Sequence, residues 1–317
     1  MNPMQPTVTP ARDVPAPAPT LADLARIAEL RTKIVSLSSL AIGTLWAATR
    51  GAFSWTTFAL MLAATLCVDL ATASFNSYYD YRAGVDTPAS DVDGYKVLVQ
   101  RGIDPKVALL LASALFGLAA VFGLALGTRV GWEVIAVGVV CMAIAWGYSG
   151  GPWPIARMPV GEVFAGGALG LVLITLSVYV QSRVIDARTL ALGVPSTLII
   201  ASILAANNAC DHVGDALAGR RTLAIVIGER GAVRVVEALV GAGFVFAVVL
   251  VAVGVLPLFA SVPLIASAAL AAKLLTSMRS RGYSHRTKGP TMGGISAIFV
   301  AYTASVAGSL ALELVLR

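Results

Sequence analysis

The chain has 317 residues, 57% of them hydrophobic and only 13% charged. A soluble domain carries about 25% charged residues, so this composition excludes an ordinary soluble protein and indicates a multi-span membrane protein. The net charge of +6 is modest, and its placement matters more than its sum; no nucleic-acid partner is expected.

Residues 1–20 contain six prolines and no apolar core. They lack the apolar h-region of a signal peptide and are expected to form a disordered cytoplasmic tail. Residues 21–317 then form one all-α transmembrane domain. A membrane helix needs about 20 apolar residues, and nine such spans follow in order: 24–49, 54–80, 107–127, 132–148, 161–181, 191–212, 232–254, 258–276 and 291–314. Gly254 and Pro257 divide an uncharged stretch that is too long for one helix. Cys67, Cys141 and Cys210 lack metal-ligand spacing, so neither a disulfide nor a zinc site is expected.

Alternating the sides of these spans places eighteen of the 23 Lys and Arg residues on one face. The positive-inside bias makes that face, and the N-terminus, cytoplasmic and puts the C-terminus outside. The membrane is expected to be the cell's inner, cytoplasmic membrane.

Two apolar runs end in acidic clusters on that face, "NSYYDYRAGVD" and "NNACDHVGD". Both stand at helix C-termini, where the dipole disfavours carboxylates by a few tenths of a kcal/mol or more. Asn76 and Asp80 are four apart and share a helix face, as do Asn207, Asp211 and Asp215. A single Asp there is explained as a water-facing surface charge. Two such clusters on one face call for a bound cation, and all-oxygen ligands suit Mg²⁺. Lys96 and Arg101 follow the first cluster, and Arg220 and Arg221 the second. Mg²⁺ with Lys and Arg is a common way to hold a diphosphate; the competing account of these cations is the positive-inside bias alone.

Together these residues resemble the UbiA superfamily of intramembrane prenyltransferases. "NSYYDYRAGVDTP" is similar to its first Asp-rich motif. "NNACDHVGDALAGRRTLAIVIG" is similar to its second, in the form of the menaquinone branch, the 1,4-dihydroxy-2-naphthoate polyprenyltransferases. "YSGGPWP" (Tyr148 to Pro154), followed by "GEVF", resembles a segment of the same branch. Ser77 stands where an acidic residue often follows the Asn, and Cys210 where Arg often precedes the Asp. The resemblance implies nine helices around a central cavity open to lipid, capped by cytoplasmic loops. It further implies transfer of a polyprenyl chain from its diphosphate to an aromatic acceptor, most closely 1,4-dihydroxy-2-naphthoate. Asp80, Asp86, Asp211 and Asp215 would hold Mg²⁺. Asn76 and Asn207 would orient the diphosphate or act as neutral ligands. Lys96, Arg101, Arg220 and Arg221 would stabilise charge on the leaving group. Tyr148 would shield an allylic cation with its ring face, unless it is an interfacial belt aromatic.

Gly84 is expected to end its helix and return Asp86 toward Asp80. Asp69 lies two turns deeper than Asn76 on nearly the same face. An acid at that depth usually faces a cavity, so Asp69 is a candidate for the acceptor pocket; the alternative is a hydrogen-bonded structural role. A secondary transporter is the rival from another class, but its site should lie near the midplane on broken helices. A 4-hydroxybenzoate prenyltransferase is the rival enzyme.

Overall fold

The structure is a computed structural model, and it describes residues 17–88 and 94–317. Most of the expected N-terminal tail, residues 1–16, lies outside the described residues. No strand occurs among the described residues. Backbone N–H and C=O groups in lipid cannot turn to water and must be satisfied by the protein, and helices do this within each segment.

Two elements precede the first long rod, α1 (Leu21–Ile27) and α2 (Ile34–Thr49). The rods that follow are α3 (Trp55–Arg82), α5 (Pro105–Val130) and α6 (Trp132–Ser149), with the short α4 (Val97–Gln100) between α3 and α5. One continuous rod then comprises α7 (Gly161–Gly166), a wide π turn (Gly167–Val172) and α8 (Leu173–Ser182). The last four are α9 (Ala187–Leu217), α10 (Leu223–Ala252), α11 (Ser261–Arg281) and α12 (Lys288–Leu316). Eight of these rods are long and apolar enough to cross a membrane.

The first expected span, 24–49, is broken. Its helical part, α2, has 16 residues, which is about 24 Å by helical rise and short of a roughly 30 Å hydrocarbon core. The break has a local cause. Glu29 takes the left-handed conformation (φ 49°), and a 3₁₀ turn at Leu30–Thr32 follows. The chain thereby runs down the side of α3 before α2 begins. The Ser77 hydroxyl donates to the Ile27 carbonyl (3.0 Å) and Lys33 reaches Asp69.

Small residues let the rods approach closely, since lipid tails provide no hydrophobic drive between helices. Gly43 of α2 lies against the Ile174 carbonyl of α8, where an added Cβ would stand 2.6 Å away. Gly166 and Gly170 lie against Thr197 of α9, where a Cβ would come within 2.4 and 2.5 Å. α9 also packs along α10, and α3 along α5. These contacts bring the C-terminal ends of α3 and α9 to the same end of the bundle.

Candidate active site

Both motif helices end in the same cap. Gly84 follows α3 at φ +68° and Gly219 follows α9 at φ +72°. The Val85 N–H bonds back to the Asp80 carbonyl (2.9 Å), and the Arg220 N–H to that of Asp215 (2.9 Å). Gly84 likewise bonds to Tyr81 and Gly219 to Ala216, both at 3.1 Å. This is the Schellman pattern, whose left-handed residue suits glycine. It turns the chain back over the helix end. In α3 it returns Asp86, whose N–H bonds the Asp80 carbonyl (3.3 Å), and in α9 it returns Arg220.

The two ends meet at Arg220. Its guanidinium donates to Asp80 Oδ1 (2.8 Å) and contacts Asp215 Oδ1 (3.3 Å). Burial opposes its charge, but Asp80 and Asp215 outweigh that and raise its pKa further. Lys96 stands 3.6 Å from Asp86 and 3.2 Å from Glu29. Burial disfavours its charge too, and Glu29, Asp86 and Asp80 more than restore it. Burial pushes the Asp86 carboxyl up to about 6, against the pull of Lys96 and with help from Asp80 and Glu29. On the far side, Asp211 is held by Lys288 through Oδ2 and by His285 through Oδ1 (3.3 Å).

The "YSGGPWP" segment packs onto the first motif. The Ser149 hydroxyl donates to Asn76 Oδ1 (2.9 Å). Gly150 sits on the Tyr79 ring, where a Cβ would be 2.8 Å from a ring carbon, and Trp146 donates to the Tyr79 hydroxyl (3.2 Å). Tyr148 is half-buried, with its hydroxyl against Gly161 and its ring within electrostatic reach of Glu162, Arg220 and Asp80. Asn207 lies one turn before Asp211 on α9. Its neighbour Asn208, unnoticed in the sequence, is buried and donates to Glu162 Oε1 (2.9 Å). Ser77 and Cys210, the two departures from the family pattern, are both buried, Ser77 against Ile27 and Cys210 beside Thr291. An apolar groove of about 580 Å³ opens between α6 and the rod that begins with α7, lined by Cys141, Ile144, Phe164, Gly167 and Ala168 among others, with Tyr148 one helical turn beyond Ile144 on α6.

Three expected site residues are not brought to these carboxylates. Arg101 pairs with Asp23, a buried carboxylate that also caps α1 through Thr20. Arg221 is exposed and anchors by its backbone, N–H to the Arg157 carbonyl (2.9 Å). Asp69 accepts from Lys33 (2.7 Å) and from Ser36 (2.6 Å). The signal for that pair was present in the sequence: Lys33 is a cation at the start of an apolar run, where only a buried acid makes it affordable.

The donor set fits a hard divalent cation. It is all carboxylate and carboxamide oxygen, and Asp215 keeps a second buried oxygen with no hydrogen-bond partner. Among the described residues no three acidic, His or Cys side chains converge on one point. Each Asp is drawn instead to a side-chain cation, so taking up a metal means exchanging those partners.

Known proteins resemble the chain along most of its length. A 1,4-dihydroxy-2-naphthoate octaprenyltransferase of Bacillus subtilis is 36% identical over 197 residues, 62% of this chain and 63% of that relative. One of Mycobacterium leprae is 29% identical over 270 residues, 83% of this chain and 89% of the relative. Among solved structures, a UbiA homolog from Archaeoglobus fulgidus bound to DMAPP and Mg2+ has a TM-score of 0.62 at 18% identity, covering 90% of this chain and 99% of that one. A digeranylgeranylglyceryl phosphate synthase has a TM-score of 0.64 at 13% identity, covering 90% and 97%. The fold is therefore theirs. With residues 36–312 matching the UbiA prenyltransferase family, and the paired Asp motifs meeting at one end of its helices, the chain belongs to that family.

Proposed function

We propose that the protein transfers a polyprenyl group from polyprenyl diphosphate to 1,4-dihydroxy-2-naphthoate, with Mg²⁺, as a step of menaquinone biosynthesis. The observation that carries the reading is the meeting of Asp80 and Asp215 on Arg220, in a chain similar to proteins of that activity. The Archaeoglobus homolog bound to a prenyl diphosphate and Mg2+ supports the donor class and the metal.

Asp80, Asp86, Asp211 and Asp215 would hold the metal, which supplies charge neutralisation on the diphosphate and its leaving group. Arg220 and Lys96, released from their carboxylates, bind phosphate oxygens. Asn76, fixed by Ser149, and Asn207 orient the same group. As the C–O bond breaks, its electron pair leaves with the diphosphate, and Tyr148 faces the allylic cation. The prenyl chain follows the apolar groove beside α6. The ring carbon of the acceptor forms the new C–C bond, and its carboxylate departs as CO₂. Arg101 and Arg221 contribute to the cap around this chemistry, and Asp69, deeper on α3, to the acceptor side.

The site faces the cytoplasm in this proposal, because the Lys and Arg bias falls at that end. Arg50, Arg183 and Arg317 make their contacts at the other, with Asp186, the Arg129 carbonyl and the Thr49 carbonyl. Product analysis tests the function. Purified protein with Mg²⁺, a long prenyl diphosphate and either naphthoate or 4-hydroxybenzoate should release CO₂ and a prenylated naphthoquinol from the first alone. Prenylation of the benzoate only would overturn the acceptor.

A further inference from the structure

The last two helices contribute a cation to the site that no motif announces. The chain leaves α11 through Gly282 (φ +75°). Thr287 closes the connection by donating to the Gly282 carbonyl (2.8 Å), and Ser284 and Thr287 cap each other. Tyr283 is 2% exposed, so the turn is clamped to the bundle. That clamp lays His285 and Lys288 on the two oxygens of Asp211. Lys288 is the first residue of α12, at the positive pole of the helix, where a cation is disfavoured by up to about 1 kcal/mol. Its position there is offset by the anions it faces, and its charge also reaches Asp215. Its side chain is 32% exposed, so a ligand arriving at the rim can meet it.

We propose that Lys288 is a further diphosphate-binding residue, which exchanges Asp211 for a phosphate oxygen of the donor. The inference rests on the diphosphate reading of the site. When the Asp211 oxygens turn to a divalent cation, the ammonium loses its carboxylate, and the phosphate that enters with the metal replaces it. Lysine suits this exchange because its ammonium is a compact charge on a flexible stem with three rotatable donors. His285, on the other oxygen, positions Asp211.

The test uses the full chain in nanodiscs. Lysine acetylation by an amine-reactive reagent is read by mass spectrometry with no addition, with Mg²⁺ alone, and with Mg²⁺ plus geranyl S-thiolodiphosphate. Labelling of Lys288 should rise severalfold with Mg²⁺ alone and fall below its starting level once the diphosphate is added. The exposed Lys106 should label equally throughout. In equilibrium dialysis, Lys288→Gln should weaken binding of the analogue by about tenfold, and Lys288→Arg should retain most of it. Unchanged Lys288 labelling in all three conditions, or wild-type affinity in Lys288→Gln, overturns the proposal, and the labelling decides should the variant not fold. Failure of the wild-type protein to bind the analogue overturns the diphosphate reading itself, and this inference with it.

Discussion

Asp80 and Asp215, at the ends of α3 and α9, share one guanidinium: Arg220 lies 2.8 Å from the first and 3.3 Å from the second. Both side chains are largely buried. Two helices that diverge in sequence are therefore coupled electrostatically through a single side chain. Asp80→Asn and Asp215→Asn should each slow prenyl transfer by about a hundredfold or more, where each tenfold is about 1.4 kcal/mol of transition-state stabilisation. Because both act on one assembly, the double variant should be scarcely slower than the poorer single one. Steady-state rates of the three variants check this, and strict additivity would mean two separate sites.

The metal prediction carries a pH dependence. EDTA should abolish transfer, and Mg²⁺ should restore it. Asp86 is an acid whose folded pKa is raised, to about 6, so the proton competes with the cation below that pH. Mg²⁺ affinity, measured by titrating activity with metal at fixed pH, should weaken as pH falls from about 7 through about 6. Stability has the opposite sense. The folded state holds the extra proton between the usual carboxylate range and about 6, so in EDTA stability should decline as pH rises across that window. A metal affinity independent of pH between 5 and 7 would remove Asp86 from the ligands.

The groove between α6 and α7 makes a prediction about donor length. Gly167 lines it, and a side chain added there meets open space. Gly167→Leu should therefore fold but fill the groove. The ratio of kcat/KM for a long donor to that for geranyl diphosphate should fall by about tenfold, one extra apolar group in such a pocket being worth about 1–3 kcal/mol. An unaltered ratio would route the chain elsewhere.

Eight of the nine expected spans, the two Asn–Asp clusters and the turn at Gly84 were legible in the sequence because each follows a local rule: apolar length, helical spacing, glycine at a helix end. What was not legible depends on where the rods meet. Arg220 and Arg101 look alike as cations after an acidic motif, yet one bridges two motifs and the other caps onto Asp23. Only the cap at Gly219, which turns Arg220 back over Asp215, separates them, and its partner on α3 lies far away in sequence. Lys288 was hidden for the same reason: nothing within its own segment points to Asp211. The broken first span was missed because its apolar composition continues through a left-handed Glu29 and a 3₁₀ turn.

That break leads to the prediction for Asp69. Counting back from Asp80, it lies about 16 Å deeper along α3 by helical rise, out of reach of the diphosphate. Lys33 is 5% exposed there and donates to both the carboxylate and the backbone carbonyl of Asp69. Removing one member of such a pair strands a charge where water cannot follow, at a cost of about 3–5 kcal/mol. Asp69→Asn and Lys33→Met should each lower the melting temperature of the protein in detergent. The double variant should recover most of the loss, because no unpaired charge remains. Kinetics then separate scaffold from site. If Asp69 borders the acceptor, Asp69→Asn raises the acceptor KM more than the donor KM, and the double variant does not repair it. A double variant with wild-type values for both substrates would assign Lys33 and Asp69 to the scaffold alone.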